Sequence, residues 1–155
     1  MPRKFLVIAD DSPEFEAALR YAARRARSTG GRVALLRVIP RGLDAHWSGA
    51  RDDIERELRT EAEALLQRLG QEAAERSGAS PLFLIEQGEP QAAIRKVVGE
   101  DPEIKILVLA SAGGGRAPGP LVSAVLKQGA AFTGRKLPVT IVPGELTEKD
   151  IEDLA

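Results

Sequence analysis

Short apolar runs and helix-spaced apolar faces alternate along this chain almost from end to end. "KFLVIAD" (Lys4–Asp10) is a nearly unbroken apolar run closed by acids and Pro13, the pattern of a strand buried on both faces. After it, Phe15, Ala18, Leu19, Ala22, Ala23 and Ala26 recur at helical spacing and share one face. Ser12 is the expected N-cap and Pro13 fits the first helical position. Glu14 and Glu16 suit the positive end of the helix dipole. Gly30-Gly31 marks the end of that helix.

"RVALLRVI" (Arg32–Ile39) reads as a second strand, closed by Pro40. Beyond a loop through Gly49, Ile54, Leu58, Ala62, Leu65, Leu66, Leu69 and Ala73 outline a long amphipathic helix that stops at Gly78. "PLFLIEQ" (Pro81–Gln87) is the third strand, and Glu89-Pro90 opens a short helix carrying Ile94, Val97 and Val98. "EIKILVLA" (Glu103–Ala110) is the fourth strand, followed by a glycine loop and a helix over about 121–132. "LPVTIV" (Leu137–Val142) is the fifth. Thr147 and Asp150 are spaced to cap a terminal turn ending at Leu154.

Five such alternations, with continuous rather than alternating apolar strands, predict an α/β fold: a mostly parallel sheet with helices on both faces. At 155 residues the chain is expected to form one domain over 1–144, followed by an acidic tail at 145–155. Ligands of such sheets bind beyond the carboxyl ends of the strands, where the strand order reverses. The informative loops are therefore "ADDSPE", "VIPRG", "EQGEP" and "ASAGGGRAPGP".

Composition narrows the chemistry. There are 22 basic and 23 acidic residues, so the basic excess typical of a nucleic-acid binder is missing. The arginines Arg20, Arg24, Arg25 and Arg27 read as a solvated helix face. Without cysteine, thiol catalysis, disulfides and thiolate metal sites are excluded. A single histidine, His46, argues against multi-histidine metal sites and histidine-based triads. No apolar run approaches the roughly 20 residues of a membrane span. The opening "MPRKFLVIADDS" turns acidic too early for a signal peptide. A cytoplasmic protein with no membrane or nucleic-acid partner is expected.

Familiar motifs are mostly missing from the loops. The first strand is followed by Asp10-Asp11-Ser12, with no glycine for a dinucleotide fingerprint, and Gly113, Gly115 and Gly119 have the wrong last spacing for one. No glycine precedes a Lys-Ser/Thr pair, and the G-x-S-x-G elbow does not occur. No catalytic residue stands out. "LVIADDS" resembles the acidic pair that holds Mg²⁺ in receiver domains of two-component signalling. The aspartate that those domains phosphorylate has no counterpart in "VIPRG" or "IEQGEP".

A second resemblance covers almost the whole chain. "KFLVIADDSPEFEAALRYAARRA", "VALLRVIP", "AEALLQRL", "GEPQAAIRKVV", "IKILVLASAG" and "LPVTIVPG" follow one another in the order and spacing of the universal stress protein family, which the sequence resembles. The resemblance implies a five-stranded parallel sheet of order 3-2-1-4-5, which sets the ends of strands one and four side by side. Asp10–Ser12 would then face Ser111–Gly115. In ATP-binding members the loop after strand four reads Gly-x2-Gly-x9-Gly-Ser/Thr. Mapped without gaps, it falls here on Ala110, Gly113 and Ser123-Ala124. The family's base- and ribose-contacting aspartate maps to Asp10, and the residue whose backbone holds adenine maps to Val38. The resemblance also implies a homodimer, with strand five (Leu137–Val142) of two subunits pairing across a two-fold axis.

The loop departs from the family pattern in a physically specific way. Glycines in such loops allow positive φ and let phosphate approach the backbone. Ala110 adds one methyl, and Ser123 sits one position earlier than the family's hydroxyl. Gly114 and Gly115 add free N–H groups that could rebuild an anion nest beside Arg116, while Pro118 and Pro120 remove donors. Two readings stay open. One is an adenine-nucleotide binder (ATP or a relative, with Mg²⁺) using Asp10, Ser12, Val38, Ala110, Ser111, Gly113, Gly114, Gly115 and Ser123, with ATP hydrolysis at most weak. The other is a dimeric interaction module of the same fold without nucleotide. His46-Trp47, the only His and only Trp, either stacks on a base or anchors its loop.

Overall fold

The computed structural model describes residues 3–9, 12–40, 48–112, 117 and 119–155, with backbone alone for 48–51. Its strands are β1 (Lys4–Ile8), β2 (Arg32–Ile39), β3 (Leu82–Gln87), β4 (Ile104–Ser111) and β5 (Val139–Pro143). Its helices are α1 (Phe15–Thr29), α2 (Ser48–Ser77), α3 (Pro90–Glu100), α4 (Pro120–Gln128) and α5 (Glu148–Leu154), with a 3₁₀ turn at Gly129–Thr133. The strands form one parallel sheet of order β3-β2-β1-β4-β5, the order that the family resemblance implies.

Two-residue periodicity divides the strand side chains between two cores. Phe5, Val7, Val33, Leu35 and Val108 pack beneath α1, α2 and α5. Leu6, Ala34, Leu36, Leu107 and Leu109 pack beneath α3, α4 and the 3₁₀ turn. Both faces are covered, which is why the strands read as continuous apolar runs.

Element boundaries depart from the periodicity at several points. α1 begins at Phe15 rather than at Ser12-Pro13, because Pro13-Glu14 forms a turn closed by the Phe15 N–H donating to the Ser12 carbonyl at 3.2 Å. The backbone of α2 is helical from Ser48, so Gly49 lies within the helix rather than in the loop before it. The helix expected over 121–132 ends at Gln128, where Gly129 (φ 57°) breaks the α conformation and the chain tightens into 3₁₀. β5 is shifted by one to two residues from Leu137–Val142.

Polar side chains complete the termini. Glu89 caps α3, its carboxylate accepting from the N–H groups of Gln91 (3.0 Å) and Ala92 (2.9 Å). Thr147 and Asp150 form a reciprocal capping box at the start of α5. α5 then lays Ile151, which is 3% exposed, into the core beside α1.

Candidate functional site

The chain leaves β1 toward β2 on one side and returns as β4 on the other, so the strand order reverses between β1 and β4. A cavity of about 200 Å³ opens at their carboxyl ends. Its floor is apolar, with Val7 of β1 and Val108 of β4. Ser12, Glu14 and Phe15, at the start of α1, form one wall, and residues 119–122, at the start of α4, form the other.

The α4 wall owes its shape to Gly119, whose φ of 99° is a conformation that residues with a Cβ rarely adopt. The chain turns there and enters α4 through Pro120, which has no N–H to leave unpaired. The first turn of α4 carries no acid. Its first-turn amides have no acceptor within the helix, so this wall is electropositive and suited to an anion.

The α1 wall carries the opposite character. Glu14 is half-buried, and its Oε2 is shielded from solvent with no hydrogen-bond partner among the described residues. Its main chain is held from behind by the turn after β5. There the Gly144 N–H donates to the Ser111 carbonyl at 2.8 Å, and a Cβ on Gly144 would collide with Glu14. The strand ends are tied together by Arg37, whose Nη1 donates to the Ala9 carbonyl at 3.2 Å.

Of the residues singled out in the sequence, Ser12 and Ala110 both line this cavity. Ala110 lies within β4, and no described non-glycine residue has positive φ, so its backbone does not require glycine. Ser111 ends β4 opposite Pro143, and its Oγ donates to the Ala112 carbonyl at 3.4 Å. Ser123 sits inside α4, its N–H bonded to the Gly119 carbonyl at 3.0 Å, and does not line the cavity. Val38 stands opposite Glu86 of β3 and lines a separate cavity of about 100 Å³ with Arg37 and Leu58. Asp10, Gly113, Gly114 and Gly115 lie outside the described residues, as do Asp11, Arg116, His46 and Trp47. Among the described residues no group of three or more His, Asp or Glu is placed to hold a metal ion. No described helix is long and apolar enough to cross a membrane.

Glu14 and Gly144 were not expected at the site. An acid at a helix start reads as a dipole partner, and the glycine that confines it comes from the far end of the chain.

A sequence model described as the universal stress protein family matches residues 1–129. Several solved structures share the fold over nearly all of the chain. The universal stress protein UspA from Lactobacillus plantarum is 21% identical, with 90% of this chain and 97% of that one covered at a TM-score of 0.71. The universal stress protein from Archaeoglobus fulgidus, in complex with dAMP, is 18% identical over 92% of this chain and 98% of that one, with a TM-score of 0.61. A family protein from Arabidopsis thaliana with AMP bound is 18% identical over 92% of each chain, with a TM-score of 0.62. Among curated proteins, none matches the sequence.

Proposed function

Because the chain belongs to the universal stress protein family, we propose that it binds an adenine nucleotide at the carboxyl ends of β1 and β4 and acts as a nucleotide-responsive cytoplasmic protein of the stress response. One observation carries the reading: the cavity lies at the reversal of strand order, with the starts of α1 and α4 converging on it. The dAMP and AMP held by two structures of the same fold support it.

The cavity is smaller than the roughly 300–1,000 Å³ of most small-molecule sites. It encloses one part of the nucleotide, and the remainder rests on the loops that continue β1, β2 and β4. The α4 wall takes the phosphate, through first-turn amides that the Gly119 turn leaves open. Ala110 provides an apolar floor. Asp10, Val38, Ser111, Gly113, Gly114, Gly115 and Ser123 form the remainder of the proposed site, and Mg²⁺ enters with the phosphates of ATP.

Calorimetry with AMP, dAMP and Mg²⁺-ATP tests this directly. Saturable heat is expected, and none at millimolar ligand would overturn the proposal. Mass spectrometry of small molecules released from freshly purified protein gives an independent readout, in which an adenine nucleotide is expected.

A second reading concerns assembly. β5 ends the sheet, with Val139, Thr140 and Ile141 only partly buried. An apolar edge of this kind invites pairing. We propose that two copies pair through β5 into a homodimer. Sedimentation should find a dimer at micromolar concentration, and a stable monomer would oppose the assignment.

A further inference from the structure

We propose that Glu14 is a specificity-determining residue of the β1/β4 cavity, its Oε2 accepting a hydrogen bond from an uncharged N–H or O–H donor of the bound nucleotide. This inference rests on the nucleotide-binding reading. Glu14 lines the cavity, and its Oε2 is out of solvent with no donor among the described residues. Buried polar atoms in folded proteins are nearly always paired, and a carboxylate oxygen left without a donor is costly. The positive end of α1 offsets part of that cost but does not fill the oxygen's lone pairs.

Glu14 also cannot easily move away. Its Cα and Cβ are backed by Gly144, whose turn is fixed to β4 by the bond to the Ser111 carbonyl. The next residue, Phe15, is 2% exposed and anchored in the core. The carboxylate is therefore carried on a rigid main chain at the edge of the site.

The chemistry of that position decides what it can meet. A carboxylate only accepts, so its partner must bring a proton. A phosphate is repelled from this wall and favoured at the opposite one, where the α4 amides point and no acid stands in the first turn. The cavity is thus polarised, and a nucleotide enters with its phosphate toward α4 and a neutral donor toward Glu14. An adenosine nucleotide offers two such donors, the ribose hydroxyls and the exocyclic amine of the base.

Titration calorimetry on wild type, Glu14→Gln and Glu14→Ala with AMP, purine riboside 5′-monophosphate and 2′,3′-dideoxy-AMP tests the assignment, with circular dichroism melts to verify folding. AMP affinity is expected to fall about ten- to a hundredfold in Glu14→Ala, the range for a hydrogen bond to a charged group, and less in Glu14→Gln, which keeps an acceptor. One analogue should bind wild type that much more weakly than AMP, yet lose little further affinity on Glu14→Ala. The purine riboside nucleotide behaving so identifies the amine, and the dideoxy nucleotide identifies the ribose. Unchanged or tighter AMP binding by a folded Glu14→Ala overturns the role of Glu14 while leaving nucleotide binding intact. Both analogues losing the same factor on Glu14→Ala as AMP does would also overturn it. Failure of wild type to bind AMP overturns this inference and the reading beneath it together.

Discussion

Gly144 packs its bare Cα against Glu14, so the turn after β5 and the start of α1 occupy space that no larger residue could share. A methyl group at Gly144 would overlap the Glu14 Cβ, and would lie 2.9 Å from the Glu14 Cα and 3.0 Å from the Ser111 carbonyl oxygen. Two of those three contacts are main-chain atoms, which cannot rotate aside. Gly144→Ala should therefore destabilise the fold by about 1–3 kcal/mol, the usual cost of overpacking. At roughly 2–4 °C per kcal/mol for a chain of this size, a thermal melt reads that as a loss of several degrees. A melt that does not move would mean that the turn relaxes freely and does not confine Glu14.

Arg135 makes a different tie, between the end of α3 and the start of β4. Its Nη2 donates to the carbonyls of Val98 (3.0 Å), Asp101 (3.1 Å) and Ile104 (2.9 Å). Those carbonyls surround a helix end, where backbone acceptors lack intrahelical donors. Arg135→Ala removes this donor from all three in a partly buried place, the Asp101 carbonyl keeping the Ile104 N–H at 3.2 Å, at a cost of about 1–3 kcal/mol. Arg135→Lys should recover only part of this, since its ammonium sits one bond closer to the main chain than Nη2 and reaches the three carbonyls less well. Urea denaturation of the two variants checks the order. Equal midpoints for lysine and arginine would show that charge alone suffices.

Asp101 gives stability an acid limb. Burial works to raise its pKa, but the Lys4 ammonium at 2.7 Å, the Glu103 N–H at 3.0 Å and the charges of Lys4 and Arg135 outweigh it and hold the carboxyl below its ordinary value. The unfolded chain therefore takes up this proton first as pH falls. The contribution is present above the ordinary aspartate value and is lost as pH falls through the lower folded value, so the window lies below about pH 4. Asp101→Asn should lower stability at pH 7 and flatten its pH dependence within that window. Denaturation midpoints at pH 7, 4 and 3 test this, and parallel curves for variant and wild type would contradict it.

The sheet was legible because its three central strands, β2, β1 and β4, are buried on both faces. "KFLVI", "RVALLRVI" and "IKILVLAS" leave no helical stripe to confuse the reading, and periodicity then assigns the helices between them. Boundaries were less legible where a turn competes with a cap. Ser12-Pro13 has the composition of an N-cap and first helical residue, but the turn at Pro13-Glu14 delays α1 to Phe15. At the site, Ser12 and Ala110 were within reach because loops that follow adjacent parallel strands must converge. Glu14 was not, since its burial depends on Gly144, and no local pattern links residues so far apart in the chain. Ser123 falls at a motif position by counting, yet helical geometry turns its main chain into the ladder of α4.

α5 offers two competing accounts of what holds the end of the chain, and mutation separates them. Its charged residues reach both neighbouring helices: Glu152 accepts from Arg24 Nε at 3.0 Å, and Glu148 pairs with Arg76 Nη1 at 2.8 Å. Both glutamates are well exposed, at 65% and 66%, so solvent and salt screen these pairs. Ile151, between them in sequence, is 3% exposed and belongs to the core formed with α1. Burial of an aliphatic side chain is worth more than a screened surface pair, so apolar docking should dominate. Ile151→Ala is expected to cost about 2–4 kcal/mol and to release α5, which protease cleavage near Glu145 would report. Glu148→Gln and Glu152→Gln should leave the denaturation midpoint in place at physiological salt. A Glu148→Gln midpoint that falls as far as that of Ile151→Ala, with the loss fading at high salt, would assign the docking to charge instead.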